Sequence, residues 1–367
     1  MVRIVEANRR VLRDIDWVAL LVPLALGLIG CVGIYSVAPS ADHWKKHLAS
    51  LLIGIVAAAA AALADYRKVL DYVAPAFYLL MLILLVLVLT PLGATINGNR
   101  AWLRLGGLSL QPSEFAKLAT IMMLARYLGE RHSKFSLKDA IIMAGVVALP
   151  AGLVQMGSDT GTMLTFGAIL GAFYFFGGMP KRVLAGGFAA LVIGLVVGFP
   201  HLKEYQKQRI MAVIEPEKVD PRGFGYQTIQ SKIAVGSGGL FGKGIAQEAS
   251  QGRLGFLPYA YSDFIAAVIA EDAGFIGVLL VIGLYLVLVW RLISIARSAR
   301  DQAGALAVLG FASLLVFHIV CNLGMVVGSL PIMGIPLPPM SAGGTSVVAT
   351  FAGIGLALSV RLRRFVN

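Results

Sequence analysis

The chain has 367 residues, 58% of them hydrophobic and only 14% charged, with a mean hydropathy of +0.83. That balance excludes a water-soluble domain of this length. The formal net charge of +12 would suit a nucleic-acid binder, but basic residues flanking apolar runs face anionic lipid, which accounts for the charge with no nucleic acid as partner.

From the N-terminus, residues 1–16 form a basic, amphipathic segment expected on the cytoplasmic side. The apolar run behind it is long enough to span, so no cleaved signal peptide is expected. Apolar runs of about 18 residues or more then recur along the chain, and in lipid each satisfies its own backbone only as a helix. A β-barrel would need alternating segments of about ten residues, and these runs are continuous. Ten spans are expected, at roughly 17–36, 48–64, 70–91, 111–129, 139–156, 160–178, 183–200, 263–290, 303–326 and 346–361. The fold class is thus an all-α polytopic membrane protein, one membrane domain over 1–367.

Charge sets the orientation. With the N-terminus inside, the inner segments collect Arg9, Arg10, Arg13, Arg126, Arg131, Arg291, Arg297 and Arg363, among others, while the short outer loops hold only Lys45, Lys46, Arg100 and Arg104. Both termini therefore lie in the cytoplasm by the positive-inside rule. Residues 201–262 form a long basic outer loop, and its apolar and aromatic residues imply order, with 227–235 a short amphipathic helix on the membrane.

Cys31 and Cys321 both lie in apolar runs, which argues against a disulfide framework. His43 and His47 share a helical spacing, but Trp44-Lys45-Lys46 between them supplies no acid and repels a cation. Both are expected as interfacial residues of an outer loop.

Ionisable residues in a membrane are costly and mark function by default. Four places qualify. Glu114 and Lys117 open the fourth span three residues apart, after the polar loop of Arg100 and Trp102; a structural ion pair and a substrate contact both suit them. Asp159, before Thr160, reads as a helix N-cap or a site residue. Asp263 ends the long loop in aromatic company, again a cap or a functional acid, and the deeper Glu271 and Asp272 are expected to bond across helices. Last, the stretch 336–346 is dense in Pro and Gly. Its free amides, with Ser341 and Thr345, suit either an anion cradle or a plain re-entrant turn. All four places open on the outer side, which predicts a polar, basic, outward-facing cavity for an anionic substrate held partly in lipid.

Several blocks carry a resemblance: NGNRAWLRLGGLSLQPSEFAKL (97–118), YQKQRI (205–210), GYQTIQSKIAVGSGGLFGKG (225–244), LPYAYSDFIAAVIAEDAGFIG (257–277) and NLGMVVGSLPIMGIPLPPMSAGGTS (322–346). In this order they resemble the SEDS family (shape, elongation, division and sporulation), and the short tails bring the chain nearer the elongation-type RodA branch than the FtsW branch. The family's Gln-Pro-Asp-Leu-Gly-Thr stands here as Gly157-Ser158-Asp159-Thr160-Gly161-Thr162.

The resemblance implies a multi-pass enzyme of the bacterial cytoplasmic (inner) membrane that polymerises lipid II into β-1,4-linked glycan, with its site facing outside. Asp263 would be the catalytic general base, and undecaprenyl diphosphate the leaving group. Substrate contacts would come from Arg100, Trp102, Glu114, Lys117, Asp159, Arg209, Lys243, Ser341, Gly343, Gly344 and Thr345. A divalent metal, Mg2+ or Mn2+, is a candidate cofactor with no ligand set assigned, and a class B penicillin-binding protein is the expected partner. Two other readings stand beside this one: a lipid II flippase, for which Glu271 and Asp272 would be intramembrane acids, and a non-catalytic scaffold.

Overall fold

The computed structural model describes residues 15–96, 98–105, 108–131, 134–201, 204–219 and 223–364. The predicted N-terminal segment, 1–16, lies outside these apart from Ile15 and Asp16. A helix stands at each predicted span: α1 (Trp17–Val37), α2 (His43–Leu63), α3 (Tyr66–Leu89), α4 (Pro112–Gly129), α5 (Leu137–Met156), α6 (Thr160–Phe176), α7 (Lys181–Gly198), then α10 (Ile265–Arg297), α11 (Gln302–Val326) and α12 (Gly344–Leu362). Among the described residues, seven of these are long and apolar enough to cross a membrane. Helix starts follow capping chemistry: Asp16 accepts from the Ala19 amide, Ser136 and Asp139 form a reciprocal capping box, and Asp301 accepts from Gly304 N at 2.7 Å.

Packing relies on small residues. α12 lies along α2, where a Cβ on Gly355 would sit 2.3 Å from the Ala58 carbonyl. Large apolar side chains such as Leu52, Val56, Leu286 and Trp290 are exposed outward, where lipid receives them. Gly161, in the first turn of α6, backs onto the Met333 carbonyl, which a Cβ would approach to 2.0 Å. Gly161→Ala is therefore expected to cost about 1–3 kcal/mol, read as a lower melting temperature in detergent; an unchanged melt would show that the 333 loop yields freely.

Four expectations change. α2 begins at His43, five residues before the predicted 48, so both histidines are helical and not in a loop. His47 is buried with Nε2 3.1 Å from the Gly27 carbonyl, and His43 stacks on Tyr261 at 4.6 Å. The polar first turn extends the helix beyond its apolar run, aided by the Asp42–Lys45 pair at 2.9 Å.

The loop after α3 is also more regular than expected. It forms a three-stranded antiparallel sheet of β1 (Gly93–Ile96), β2 (Asn99–Leu105) and β3 (Leu108–Leu110), in that order. Gly98, at φ 81°, turns the first hairpin.

The long segment after α7 holds two helices, α8 (Glu204–Ile214) and α9 (Phe224–Ser237). α9 contains the predicted amphipathic stretch. It buries Gly225, Thr228, Ser231 and Ala234 along one face against protein, and Ser231 Oγ donates to the Val326 carbonyl at 2.7 Å.

Finally, α10 is not continuous, because Gly274 (φ 66°, ψ −163°) breaks it. A break at this depth must satisfy the freed backbone groups. The turn at 239–244 does so. Lys243 N and Gly244 N donate to the carbonyls of Glu271 and Asp272, while Gly239 O and Leu240 O accept from Phe275 N and Ile276 N. A Cβ on Gly274 would lie 2.4 Å from Gly242 N, so the position needs glycine on two counts.

Candidate active site

A polar cavity of about 390 Å³ lies where β2, the N-termini of α4 and α6, helices α8 and α9, and the loops before α10 and α12 converge. Of the predicted residues, Trp102, Glu114, Asp159, Arg209, Asp263 and Gly343 line it. They come from six separate stretches of chain, and only the fold brings them together.

Asp263 is not a helix cap. Phe264 occupies the N-cap of α10 without a side-chain bond, and the Asp263 carboxyl faces the cavity. A Cβ on Gly334 would come 3.5 Å from its Oδ2, so Gly334 keeps the opposite wall clear. Burial pushes this carboxyl up to about 6. The charge of Asp159 raises it further, while a hydrogen bond from Ser262 and the positive charge of Arg209 pull it down. A carboxyl so placed is a stronger base than an exposed one, yet still largely ionised near neutral pH.

Asp159 is both a cap and a lining residue. Oδ1 accepts from Thr162 N at 3.0 Å, and Oδ2 lies 3.5 Å from Gln111 Nε2. Burial holds its carboxyl above the usual range. Arg209, on α8, packs its guanidinium 4.7 Å from the Phe224 ring centroid and supplies positive charge to this wall.

The other predicted residues sit elsewhere. Arg100 does not line the cavity: its guanidinium donates to the Thr90 carbonyl at 2.5 Å, just past the C-terminus of α3, where a cation is favoured. Lys117 lies one turn below Glu114, 2% exposed, bonded to Glu114 Oε1 at 2.8 Å and 3.3 Å from His318 Nε2. It reaches the cavity only through Glu114. Lys243 is drawn to the break in α10, where it pairs with Glu271 at 2.6 Å. Glu271 also accepts from Gln251 N at 3.0 Å, so this acid is engaged across segments as expected.

Part of the 336–346 stretch is spent on its own fold. The amides of Met340 and Ser341 donate to Leu337 O, and that of Ala342 to Tyr261 O. Ser341 Oγ donates to Ser262 O, Thr345 Oγ1 accepts from Gln111 N, and Gly344 starts α12 close to Ser50. Ser341, Gly344 and Thr345 thus build the wall behind the cavity, while Pro336, Ala342, Gly343 and Ser346 line it. Sequence reasoning missed Gln111, Gln227 and Tyr259, which also line it. Gln111 stood beside a singled-out pair and Tyr259 among the aromatics before Asp263, but neither was named as a site residue.

Residues 16–364 match the FtsW/RodA/SpoVE family model, described as cell cycle protein. Peptidoglycan glycosyltransferase MrdB of Escherichia coli (strain K12) is 36% identical over 355 residues, covering 95% of this chain and 94% of its own length. Stage V sporulation protein E of Bacillus subtilis (strain 168) is 35% identical over 361 residues, covering 94% and 96%. Among solved structures, a chain of a peptidoglycan synthase complex that coordinates polymerization and crosslinking superposes with a TM-score of 0.82 at 33% identity, covering 96% of this chain and 99% of that one. The Thermus thermophilus rod shape determining protein RodA does so at 0.73 and 30%, covering 96% and 98%. Matched over almost its whole length by family, relatives and fold, the chain belongs to the FtsW/RodA/SpoVE family of cell cycle proteins.

Proposed function

We propose that this protein is a peptidoglycan glycosyltransferase of the bacterial cytoplasmic membrane, polymerising lipid II at an outward-facing site during cell elongation. The observation that carries this reading is the Asp263 carboxyl, half-buried in a polar cavity opposite Gly334 and within the field of Arg209. The Asp263 carboxylate takes the proton of the acceptor sugar's 4-hydroxyl. The freed oxygen attacks the anomeric carbon of the donor from the face opposite its diphosphate. The carbon–oxygen bond to undecaprenyl diphosphate breaks, its electron pair stays with the phosphate, and the α-linkage becomes β. Arg209, which lines the cavity, brings positive charge to meet it. Trp102 at the wall offers an apolar face to a sugar or isoprenoid.

A divalent ion has no resident site in this reading. Among the described residues no group of three or more His, Cys, Asp and Glu side chains is placed to hold a metal. Mg2+ needs only one or two carboxylates when phosphate oxygens and waters complete its shell, and Asp159 lines the cavity. Mg2+ or Mn2+ would then arrive with the diphosphate and neutralise it. Chelation is expected to lower the rate while leaving the melting temperature of the substrate-free protein unchanged. A drop in that melt would reveal a resident ion instead.

The flippase reading loses one of the two acids that supported it, because Glu271 is tied to Lys243. As partner we assign a class B penicillin-binding protein; the relative of known structure above is itself part of a synthase complex. Purified protein, supplied with lipid II, this partner and Mg2+ or Mn2+, is expected to yield glycan polymer. Movement of lipid II across vesicle leaflets without polymer would replace the enzyme by a transporter. Depletion in cells separates the roles, rounding for elongation and filaments for division.

A further inference from the structure

We infer that Asn322, on α11, is a positioning residue that sets where the Asp263 carboxyl stands, with Ser341 as its second support. The inference rests on the reading of Asp263 as the base.

Asn322 is fully buried, and its Nδ2 donates to two carbonyls, Asp263 O and Ile335 O, each at 2.8 Å. Both donors of one small planar amide are thus spent on two segments far apart in sequence. One segment carries Asp263. The other adjoins Gly334, the residue that faces the Asp263 carboxyl from across the cavity. Asn322 therefore staples the two walls together at the point where the base stands.

The neighbouring carbonyls are held in the same way. Ser341 Oγ donates to Ser262 O at 2.6 Å while accepting from Leu337 N at 2.8 Å, and Ala342 N donates to Tyr261 O at 2.9 Å. Three consecutive carbonyls, 261 to 263, are each gripped by α11 or by the Pro-rich loop. From the other side, the amides of Ser262, Asp263 and Phe264 all converge on Tyr259 O, at 3.0, 3.1 and 3.3 Å. The backbone at Asp263 is pinned on both its donor and acceptor edges, and only the side chain is left to the cavity. One turn earlier on α11, His318 Nδ1 lies 2.9 Å from Pro336 O and anchors the next residue of the loop.

The amide is not there for packing alone. Its Oδ1 is buried with no hydrogen-bond partner among the described residues, a cost that an apolar residue of the same size would avoid. What that residue would lack is the pair of donors. A side chain kept at such a cost, serving the backbone of a reactive residue, fits the general need to hold catalytic groups to within about 0.5 Å.

Asn322→Leu keeps the volume and removes both donors. Purified in detergent with lipid II, the partner protein and Mg2+, it is expected to lose about 10–100-fold in kcat, with KM for lipid II near that of the parent. The midpoint of its pH–rate limb is expected to move, because the distances from Asp263 to the two charges that tune it, Asp159 and Arg209, change. Asn322→Gln, which keeps the donors on a longer arm, is expected to fall between. A folded Asn322→Leu protein with the parent's kcat and pH midpoint overturns the inference, as does a loss confined to stability. If Asn322→Leu does not fold, Ser341→Ala decides by the same two readouts, since it loosens the adjacent carbonyl. Asp263→Ala in the same assay keeps the two readings apart: parental polymer from that variant removes the base itself, whereas an inactive Asp263→Ala beside an unaffected Asn322→Leu removes only the positioning role.

Discussion

Asp263→Ala is expected to lower lipid II polymerisation by about 10²–10⁴-fold, the usual contribution of a general base. Asp263→Glu is expected to fall by about 100-fold, since one methylene misplaces the carboxylate by about 1 Å. The same residue predicts a pH profile. Its carboxyl titrates at about 6, and only the ionised form accepts a proton, so the rate rises with pH through about 6 and levels off above it. The neighbours give the sign of two further shifts. Removing the negative charge in Asp159→Asn moves the limb to lower pH, and removing the positive charge in Arg209→Gln moves it to higher pH. Both limbs can be read on whatever activity remains. A limb that moves the same way in both variants, or in neither, would put the titrating group elsewhere. Stability runs against activity here. The folded carboxyl sits above its ordinary 3.8, so its ionised form costs the fold something at every pH above that value. Asp263→Asn is therefore expected to melt higher than the parent at pH 8 and no higher at pH 4.

The second large effect concerns Glu114 and Lys117, 5% and 2% exposed and paired at 2.8 Å within the helix bundle. Lys117→Met leaves the Glu114 charge buried without its main partner, which costs about 3–5 kcal/mol. The expected result is a markedly lower melting temperature and a poor yield of folded protein. Glu114→Gln combined with Lys117→Met removes both charges and is expected to recover most of that loss. Recovery of the fold need not restore the rate, because Glu114 lines the cavity and Lys117 does not. A double variant as unstable as Lys117→Met would mean that the pair is held by something other than mutual neutralisation. Melting curves in detergent, followed by the polymerisation assay on the same samples, distinguish these outcomes.

The helices were legible because lipid leaves the backbone one economical choice, and a long apolar run states it without reference to any other segment. The acids were legible as candidates for the same reason, since charge is costly where they stand. Direction was not legible. Arg100, Lys117 and Lys243 all looked available to an anionic substrate, yet Arg100 turns to a helix C-terminus, Lys117 to Glu114 and His318, and Lys243 to Glu271. Each choice depends on which unsatisfied group lies nearest in three dimensions, and chain order does not encode that. The small sheet has a hairpin signal in Asn97-Gly98, while the break at Gly274 has only a glycine among many.

By itself, then, the sequence determined a helical membrane protein and a short set of costly polar residues, since both follow from local composition against the bilayer. The tertiary structure decided which of those residues share a cavity and which are spent elsewhere. It also supplied Asn322, an amide that looks ordinary in its helix and matters through the carbonyls of Asp263 and Ile335, 59 and 13 residues away. Hydrogen bonds between distant segments exist only after the chain has packed, so no local pattern announces them.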